Sequence, residues 1–189
     1  MNSLPLEKFL NKYRIPSARL RDWDYSSVGA YFITICTKDR VHYFGEIEDG
    51  KMVYTPLGVI ADTLWHEINQ HTKNVELGEF VVMPNHIHGI LIIHHVETLH
   101  ATFPDNTGNF PNNIKNNQMA NFSPKSGTIS AIIRSYKSAV SRHASRSGLT
   151  FEWQARFHDH IIRDATSHTR IATYIAENPQ NWETDKFYG

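Results

Sequence analysis

The chain has 189 residues, of which 40% are hydrophobic and 12% aromatic. These values are typical of a globular domain with a sizeable core and exclude a disordered chain. No apolar stretch approaches the roughly 18 residues of a membrane span, and the charged N-terminal residues do not resemble a signal peptide. The single cysteine, Cys36, excludes an internal disulfide, so we expect a cytoplasmic protein. Lys plus Arg and Asp plus Glu number 19 each, so a nucleic-acid-binding surface would require local clustering of charge.

Hydrophobic periodicity and turn residues predict alternating strands and helices. Asp49-Gly50 separates the strand-like runs HYFGEI and KMVY, which predicts a tight hairpin. Thr55 and Pro56 have the residue types of a helix N-cap and first turn. In chain order the predicted elements are an N-terminal arm at 1–29, a strand at 30–37, the hairpin, a helix from 55 to about 71, strands at 75–83 and 86–94, a flexible Asn-rich loop at 97–124, a helix at 128–144, a strand at 160–163, a helix at 167–177 and a C-terminal tail at 183–189.

This order of elements predicts one domain at 30–182 of the α+β class. Strand pairs that alternate with helices favour a ferredoxin-like sandwich, a mostly antiparallel sheet with helices packed on one face.

The segment His86-Ile87-His88 is the first candidate for chemistry. In a strand, alternate side chains share a face, so the two imidazoles would lie roughly 6.6 Å apart along the strand and could hold one metal ion. The alternative is a pair of ordinary histidines bonded to carbonyl groups, since buried polar rings also need partners.

Tyr174 and Asn178 are the second candidate. They lie four residues apart in the last predicted helix, so both would be on the same helix face. A phenol and an amide one turn apart could face a metal site together. The alternative is that Tyr174 packs in the core and Asn178 ends the helix before Pro179.

A cluster of basic residues is the third candidate. Residues 125–147 contain no acid, which favours contact with phosphate over a merely solvated helix face. Farther along, Trp153, Arg156, Phe157 and His158 interleave aromatic and cationic side chains, a pattern that suits stacking on unpaired bases or simple packing. The candidate DNA-binding residues are Lys125, Arg134, Lys137, Arg142 and Arg156.

Taken together, these segments resemble the REP-associated tyrosine transposases, a group within the single-tyrosine HUH transposases. The resemblance covers about residues 24–182. It rests on GAYFITICTKDR at 29–40, FGEI at 44–47, VVMPNHIHGILI at 81–92, GTISAIIRSYKSAVSR at 127–142, FHDHIIRD at 157–164 and YIAENPQNW at 174–182.

The resemblance implies a ferredoxin-like catalytic domain in which His86 and His88 are metal ligands and Tyr174 is the nucleophile. Asn178 matches the position of a polar third ligand. It further implies Mg²⁺ or Mn²⁺ as cofactor, cleavage and rejoining of single-stranded DNA through a 5′-phosphotyrosine, and a hairpin of palindromic repeat DNA as partner. A monomer or homodimer associated with the nucleoid would fit this activity.

Two other functions are compatible with the sequence. The first is a non-catalytic protein that keeps the fold and binds repeat hairpins. The second is a metal-dependent hydrolase that activates water, with Glu79 or Glu177 as base. Labelled DNA would become linked to the protein in the transposase-like reaction alone.

Overall fold

The computed structural model describes residues 28–94 and 127–188, together with two short paired strands, β1 (Lys8–Phe9) and β2 (Lys12–Tyr13). The rest of the predicted arm up to residue 27, the Asn-rich loop at 97–124 and Lys125 lie outside the described residues. The other strands are β3 (Gly29–Cys36), β4 (Gly45–Glu48), β5 (Lys51–Tyr54), β6 (Val75–Met83), β7 (His86–Ile93) and β8 (His158–Ile162). The helices are α1 (Pro56–His66), α2 (Ile68–His71), α3 (Ile129–Arg146) and α4 (Ala165–Glu177).

The main sheet has four strands in the order β6-β7-β3-β8, and every neighbouring pair is antiparallel. One crossover from β3 to β6 contains α1, and the other from β7 to β8 contains α3. The predicted α+β, ferredoxin-like class is therefore confirmed. β4 and β5 form a separate hairpin whose turn residues, Asp49 and Gly50, both have positive φ, as the sequence predicts for a tight turn.

Helix ends follow from capping side chains. The Thr55 hydroxyl accepts a hydrogen bond from the Gly58 N–H at 3.1 Å, with Pro56 in the first turn. Asp164 caps α4 in the same way, accepting from the Ser167 N–H at 2.8 Å. The prediction of a single helix as far as residue 71 is wrong in one detail, because a turn at Glu67 divides it into α1 and α2.

In the described part of the chain, no helix combines the length and apolar character needed to cross a membrane.

Helices cover both faces of the sheet. α1 and α3 cover one face, where the main core lies, as the prediction of helices on one face requires. α4, which the sequence predicts as a helix at 167–177, covers part of the opposite face with a smaller apolar cluster, and the sequence did not predict this position for it. Residues of the main core include Tyr31, Ile33, Trp65, Leu91 and Ile133, and the smaller cluster is Ile90, Ile162, Ile171 and Ile175.

Gly89 allows β7 to pass close beneath the main core. A Cβ at this position would lie 2.3 Å from the ring atom Cζ2 of the fully buried Trp65. We expect Gly89→Ala to lower the free energy of unfolding by about 1–3 kcal/mol, because the core must shift to relieve this overlap. Urea denaturation would measure the loss, and Ser135→Ala on the exposed face of α3 should change stability by less than about 0.5 kcal/mol. Equal stability of the two variants would contradict this packing.

Candidate active site

The two histidines of β7 lie side by side beneath α4. Both are fully buried, and their ring centroids are 4.5 Å apart. Ile87 between them points into the main core, so the alternation expected from the sequence is observed. The sheet thus presents both imidazoles on the face that α4 covers.

The hydrogen bonds of His86 fix which ring nitrogen carries the proton. The Asn85 amide nitrogen donates to the Phe187 carbonyl at 2.9 Å, so its oxygen faces His86 Nδ1, also at 2.9 Å. An amide oxygen only accepts, so Nδ1 carries hydrogen and Nε2 presents a lone pair. That Nε2 is buried and has no hydrogen-bond partner. This arrangement is typical of a metal-binding histidine whose second nitrogen is held by a neighbour.

His88 is held in a comparable way. Its Nδ1 lies 2.9 Å from the hydroxyl of buried Thr34 on the neighbouring strand β3. A hydroxyl can donate or accept, so Thr34 supports either tautomer of the ring. His88 Nε2 points toward α4 and lies 3.2 Å from the Tyr174 hydroxyl.

Burial keeps both rings uncharged. It lowers the pKa of His86 well below 6.5, and the neighbouring His88, Lys186 and Arg40 side chains disfavour a proton on that ring further. Burial likewise lowers the pKa of His88 to about 3, opposed in part by the charge of Asp185. Neutral imidazoles have the lone pairs that metal coordination needs.

α4 places Tyr174 against His88, and Asn178 follows at the C-terminal end of the same helix. Tyr174 is 37% exposed as a residue, and its hydroxyl lies against His88 Nε2. Asn178 is buried and its Oδ1 has no hydrogen-bond partner. The structure therefore brings together all four residues predicted for catalysis and metal binding.

These donors fit a divalent metal. Two imidazole nitrogens and an amide oxygen suit Mg²⁺ or, better, Mn²⁺. His86 Nε2 and Asn178 Oδ1 are both buried and unpaired, an arrangement that costs free energy unless a ligand satisfies them. Among the described residues, no group of three His, Cys, Asp or Glu side chains forms an alternative site.

The C-terminal tail contributes two residues that the sequence analysis missed. Asp185 Oδ2 accepts hydrogen bonds from the Tyr174 hydroxyl at 2.8 Å and the Asn178 amide at 2.9 Å. The Phe187 ring lies over the histidines, with its centroid 4.5 Å from that of His86 and 5.7 Å from that of His88. No spacing rule pairs an irregular tail with a helix, so the sequence carries no signal for this contact.

The tail also affects the Tyr174 phenol. Burial raises its pKa well above 10, and the hydrogen bond and negative charge of Asp185 raise it further. The phenol is therefore protonated and a weak nucleophile while the tail lies over it.

The predicted DNA-binding residues that the structure describes do not line this site. α3 lies on the opposite face of the sheet from Tyr174, and its Arg134 and Arg142 are exposed there. Lys137 donates to the carbonyls of Gln154 and Arg156 at 2.8 and 2.9 Å, so it anchors a loop. Arg156 is exposed in that loop. A basic residue that the sequence analysis missed is Arg40, whose guanidinium lies 5.6 Å from the centre of the Phe187 ring.

Comparison with solved structures agrees with this architecture. The structure of a REP-associated tyrosine transposase bound to a REP hairpin is similar with a TM-score of 0.55 and 18% identity, over 90% of this chain and 77% of that one. The two proteins thus share a fold. A candidate transposase from Deinococcus radiodurans R1 has 17% identity over 85% of this chain and 96% of that one, with a TM-score of 0.33, too low to indicate a shared fold.

At the level of sequence, no protein-family model matches the chain. An uncharacterized protein of Haemophilus influenzae (strain ATCC 51907 / DSM 11121 / KW20 / Rd) is 37% identical over 176 residues, which is 91% of this chain and 92% of the relative. The chain belongs to the same family as this H. influenzae protein.

Proposed function

We propose that this protein cleaves and rejoins single-stranded DNA as a metal-dependent tyrosine transposase of the HUH type. The observation that carries the proposal is the contact of Tyr174 with His88 at 3.2 Å, beside the buried and unpaired His86 Nε2 and Asn178 Oδ1. The fold shared with a REP-associated tyrosine transposase supports it.

Three residues would hold the metal: His86, His88 and Asn178. A bound Mg²⁺ or Mn²⁺ would supply Lewis-acid polarisation of a phosphate oxygen. Asn85 and Thr34 orient the two rings, so little reorganisation would be needed on binding.

Tyr174 is the nucleophile in this proposal. Its hydroxyl oxygen bonds to phosphorus, the bond from phosphorus to the 3′ oxygen breaks, and a 5′-phosphotyrosine and a free 3′-hydroxyl result. A 3′-hydroxyl then attacks the phosphotyrosine and restores both the phosphodiester and the phenol. The energy of the cleaved bond is kept in the covalent link, so rejoining needs no nucleotide cofactor.

The tail must move before DNA reaches the phenol. Asp185 occupies the two hydrogen-bond donors, on Tyr174 and Asn178, that face the place of the scissile phosphate. A carboxylate and a phosphate diester are both anions and cannot occupy the same place. We infer that DNA binding displaces the segment that contains Asp185 and Phe187.

Asp185→Ala should therefore accelerate formation of the covalent adduct, by about tenfold. Without the carboxylate, the tail competes less with DNA and the pKa of Tyr174 falls toward 10, since a hydrogen bond and a negative charge that raise it are gone. Rates of adduct formation and ultraviolet titration of tyrosinate would measure the two effects. Glu183→Ala, a nearby exposed acid, is the control. A slower rate in the Asp185 variant would contradict the competition.

Hairpin DNA is the partner we propose, because the structurally similar transposase is bound to one. The exposed Arg134 and Arg142 of α3 offer phosphate contacts away from the cleavage site. The histidine pair and Tyr174 come from one chain, so a monomer contains every proposed catalytic group.

The experiment that tests the function is incubation with single-stranded DNA from the regions that flank the gene, with Mn²⁺. A denaturing gel that shows labelled DNA bound to protein would support the proposal. Free cleavage products without adduct would favour the hydrolase, and binding without cleavage would favour the non-catalytic DNA-binding protein.

A further inference from the structure

A second pair of histidines lies on the same face of the sheet as the candidate active site. His158 and His160 are on β8, the edge strand, and both are exposed. Ile162 follows in the same alternation and packs with Ile171 of α4. Because alternate residues of a strand share a face, His158 and His160 point to the α4 side.

The strand register places His158 in the same row across the sheet as His88 of the candidate active site. β7, β3 and β8 are neighbours, and His88 is opposite Thr34, which is opposite His158. Adjacent strands are roughly 4.8 Å apart, so the backbones at His88 and His158 are separated by about 10 Å. Thr34 stands between the two histidines.

Exposure along this line increases toward the edge of the sheet. α4 comes closest to β6 and β7, Thr34 on β3 is buried, and His158 on the edge strand β8 is exposed. Tyr174 stands above His88, with its ring 5.3 Å from the imidazole and 6.2 Å from Phe32 of β3. A phosphate group in the place that Asp185 vacates, beside the Tyr174 hydroxyl, would have the phenol on its β7 side and His158 toward its β8 side.

Displacement at phosphorus requires the attacking group and any proton donor to the leaving group to lie on opposite sides of the phosphorus atom. The attacking oxygen and the leaving oxygen lie on opposite sides of phosphorus, roughly in line. The leaving 3′ oxygen is a strongly basic alkoxide unless it receives a proton, and histidine is the side chain most often used for that transfer.

Resting on the proposed function, we propose that His158 is the general acid that protonates the leaving 3′ oxygen. The phenol loses its proton to water and its oxygen bonds to phosphorus. The bond from phosphorus to the 3′ oxygen breaks with its electron pair on oxygen, and that oxygen takes a proton from the His158 imidazolium. In rejoining, neutral His158 takes the proton from the attacking 3′-hydroxyl, the bond from phosphorus to the tyrosine oxygen breaks, and that oxygen takes a proton from water to give the phenol.

A change of the leaving atom tests this role. After the cleaved bond has been mapped with the unaltered protein, two substrates are compared that differ at one atom, oxygen or sulfur at the 3′ bridging position. A thiolate is a far better leaving group than an alkoxide and needs no proton from an acid, since a thiol is a much stronger acid than an alcohol and that of cysteine ionises near pH 8.5. His158→Ala and His158→Gln are the variants, and because His158 is exposed, the fold should be retained.

We expect the His158 variants to form adduct about 10²–10⁴-fold more slowly on the oxygen substrate, the usual contribution of a general acid. On the sulfur substrate their rates should stay within about threefold of the unaltered protein. The matched control is His160→Ala, two residues along the same face and opposite Phe32. A loss from this variant should be equal on the two substrates, because a phosphate contact does not distinguish the leaving atom.

Two outcomes would overturn the assignment while the proposed function stands: an equal loss on both substrates, or no loss on either. Absence of adduct with the unaltered protein on both substrates is a different result. It would remove the proposed function and this role with it.

Discussion

Tyr174→Phe should eliminate the covalent adduct and leave hairpin affinity within about twofold of the unaltered protein. Loss of a nucleophile lowers the rate by about 10⁴-fold or more in comparable enzymes. The substitution removes one oxygen atom, and the remaining ring keeps its contacts with Phe32 and His88. Adduct on a denaturing gel and hairpin binding by fluorescence anisotropy would measure the two effects separately.

A second tyrosine provides a matched control for this experiment. Tyr54 is 39% exposed, close to the 37% of Tyr174, and burial together with the neighbouring Asp62 raises the pKa of its phenol to about 12. It lies on β5, on the separate hairpin. Tyr54→Phe should form adduct at the normal rate. Cleavage by the Tyr174 variant at the rate of the Tyr54 variant would show that another group attacks the phosphate.

Much of the fold could be predicted because its signals are local. The β-branched run of β3, the Asp49-Gly50 turn and the Thr55 cap each determine structure within a few residues. Such patterns also give the order of elements, from which the antiparallel sheet follows. The position of α4 on the second face could not be predicted in this way. Its apolar residues Ile171 and Ile175 require one side of the helix to be buried, but they do not determine which face of the sheet covers that side.

The candidate site was predictable where two residues share one element. Strand alternation pairs His86 with His88, and helical spacing pairs Tyr174 with Asn178. The expectation that the two pairs lie close together came from the family resemblance, because no local sequence pattern relates β7 to α4.

Residues that reach the site from elsewhere could not be predicted. Asp185 contacts Tyr174 through a tail whose path depends on the packing of Trp182 and Phe187 against His86.

Lys137 is a residue for which the sequence suggested a contact with DNA and the structure shows a contact within the protein. A basic residue on an acid-free helix suggests phosphate contact, yet its ammonium is used by two backbone carbonyls.

Substitution of both site histidines by alanine should abolish metal-dependent cleavage and weaken Mn²⁺ binding at least about 100-fold. Loss of residues that merely orient a ligand costs 10–100-fold in affinity, and the ligands themselves contribute more. Calorimetric titration of Mn²⁺ without DNA would measure binding independently of activity. The control replaces two exposed histidines, His71 and His143, and should bind as the unaltered protein does. Unchanged Mn²⁺ affinity in a folded His86, His88 double variant would exclude the proposed site.

The buried state of His86 and His88 predicts how the free energy of unfolding of the metal-free protein depends on pH. Burial lowers the pKa of His86 well below 6.5 and that of His88 to about 3, whereas in the unfolded chain both rings take up protons near pH 6.5. Between these values the unfolded state binds more protons, so the pair lowers the free energy of unfolding as the pH falls from about 6.5 toward 3. A double His→Gln variant, closer in size to the original rings, should lose less stability than the unaltered protein over this range. Urea denaturation at several pH values would measure the difference, and parallel curves would mean that the two rings are not held neutral by burial.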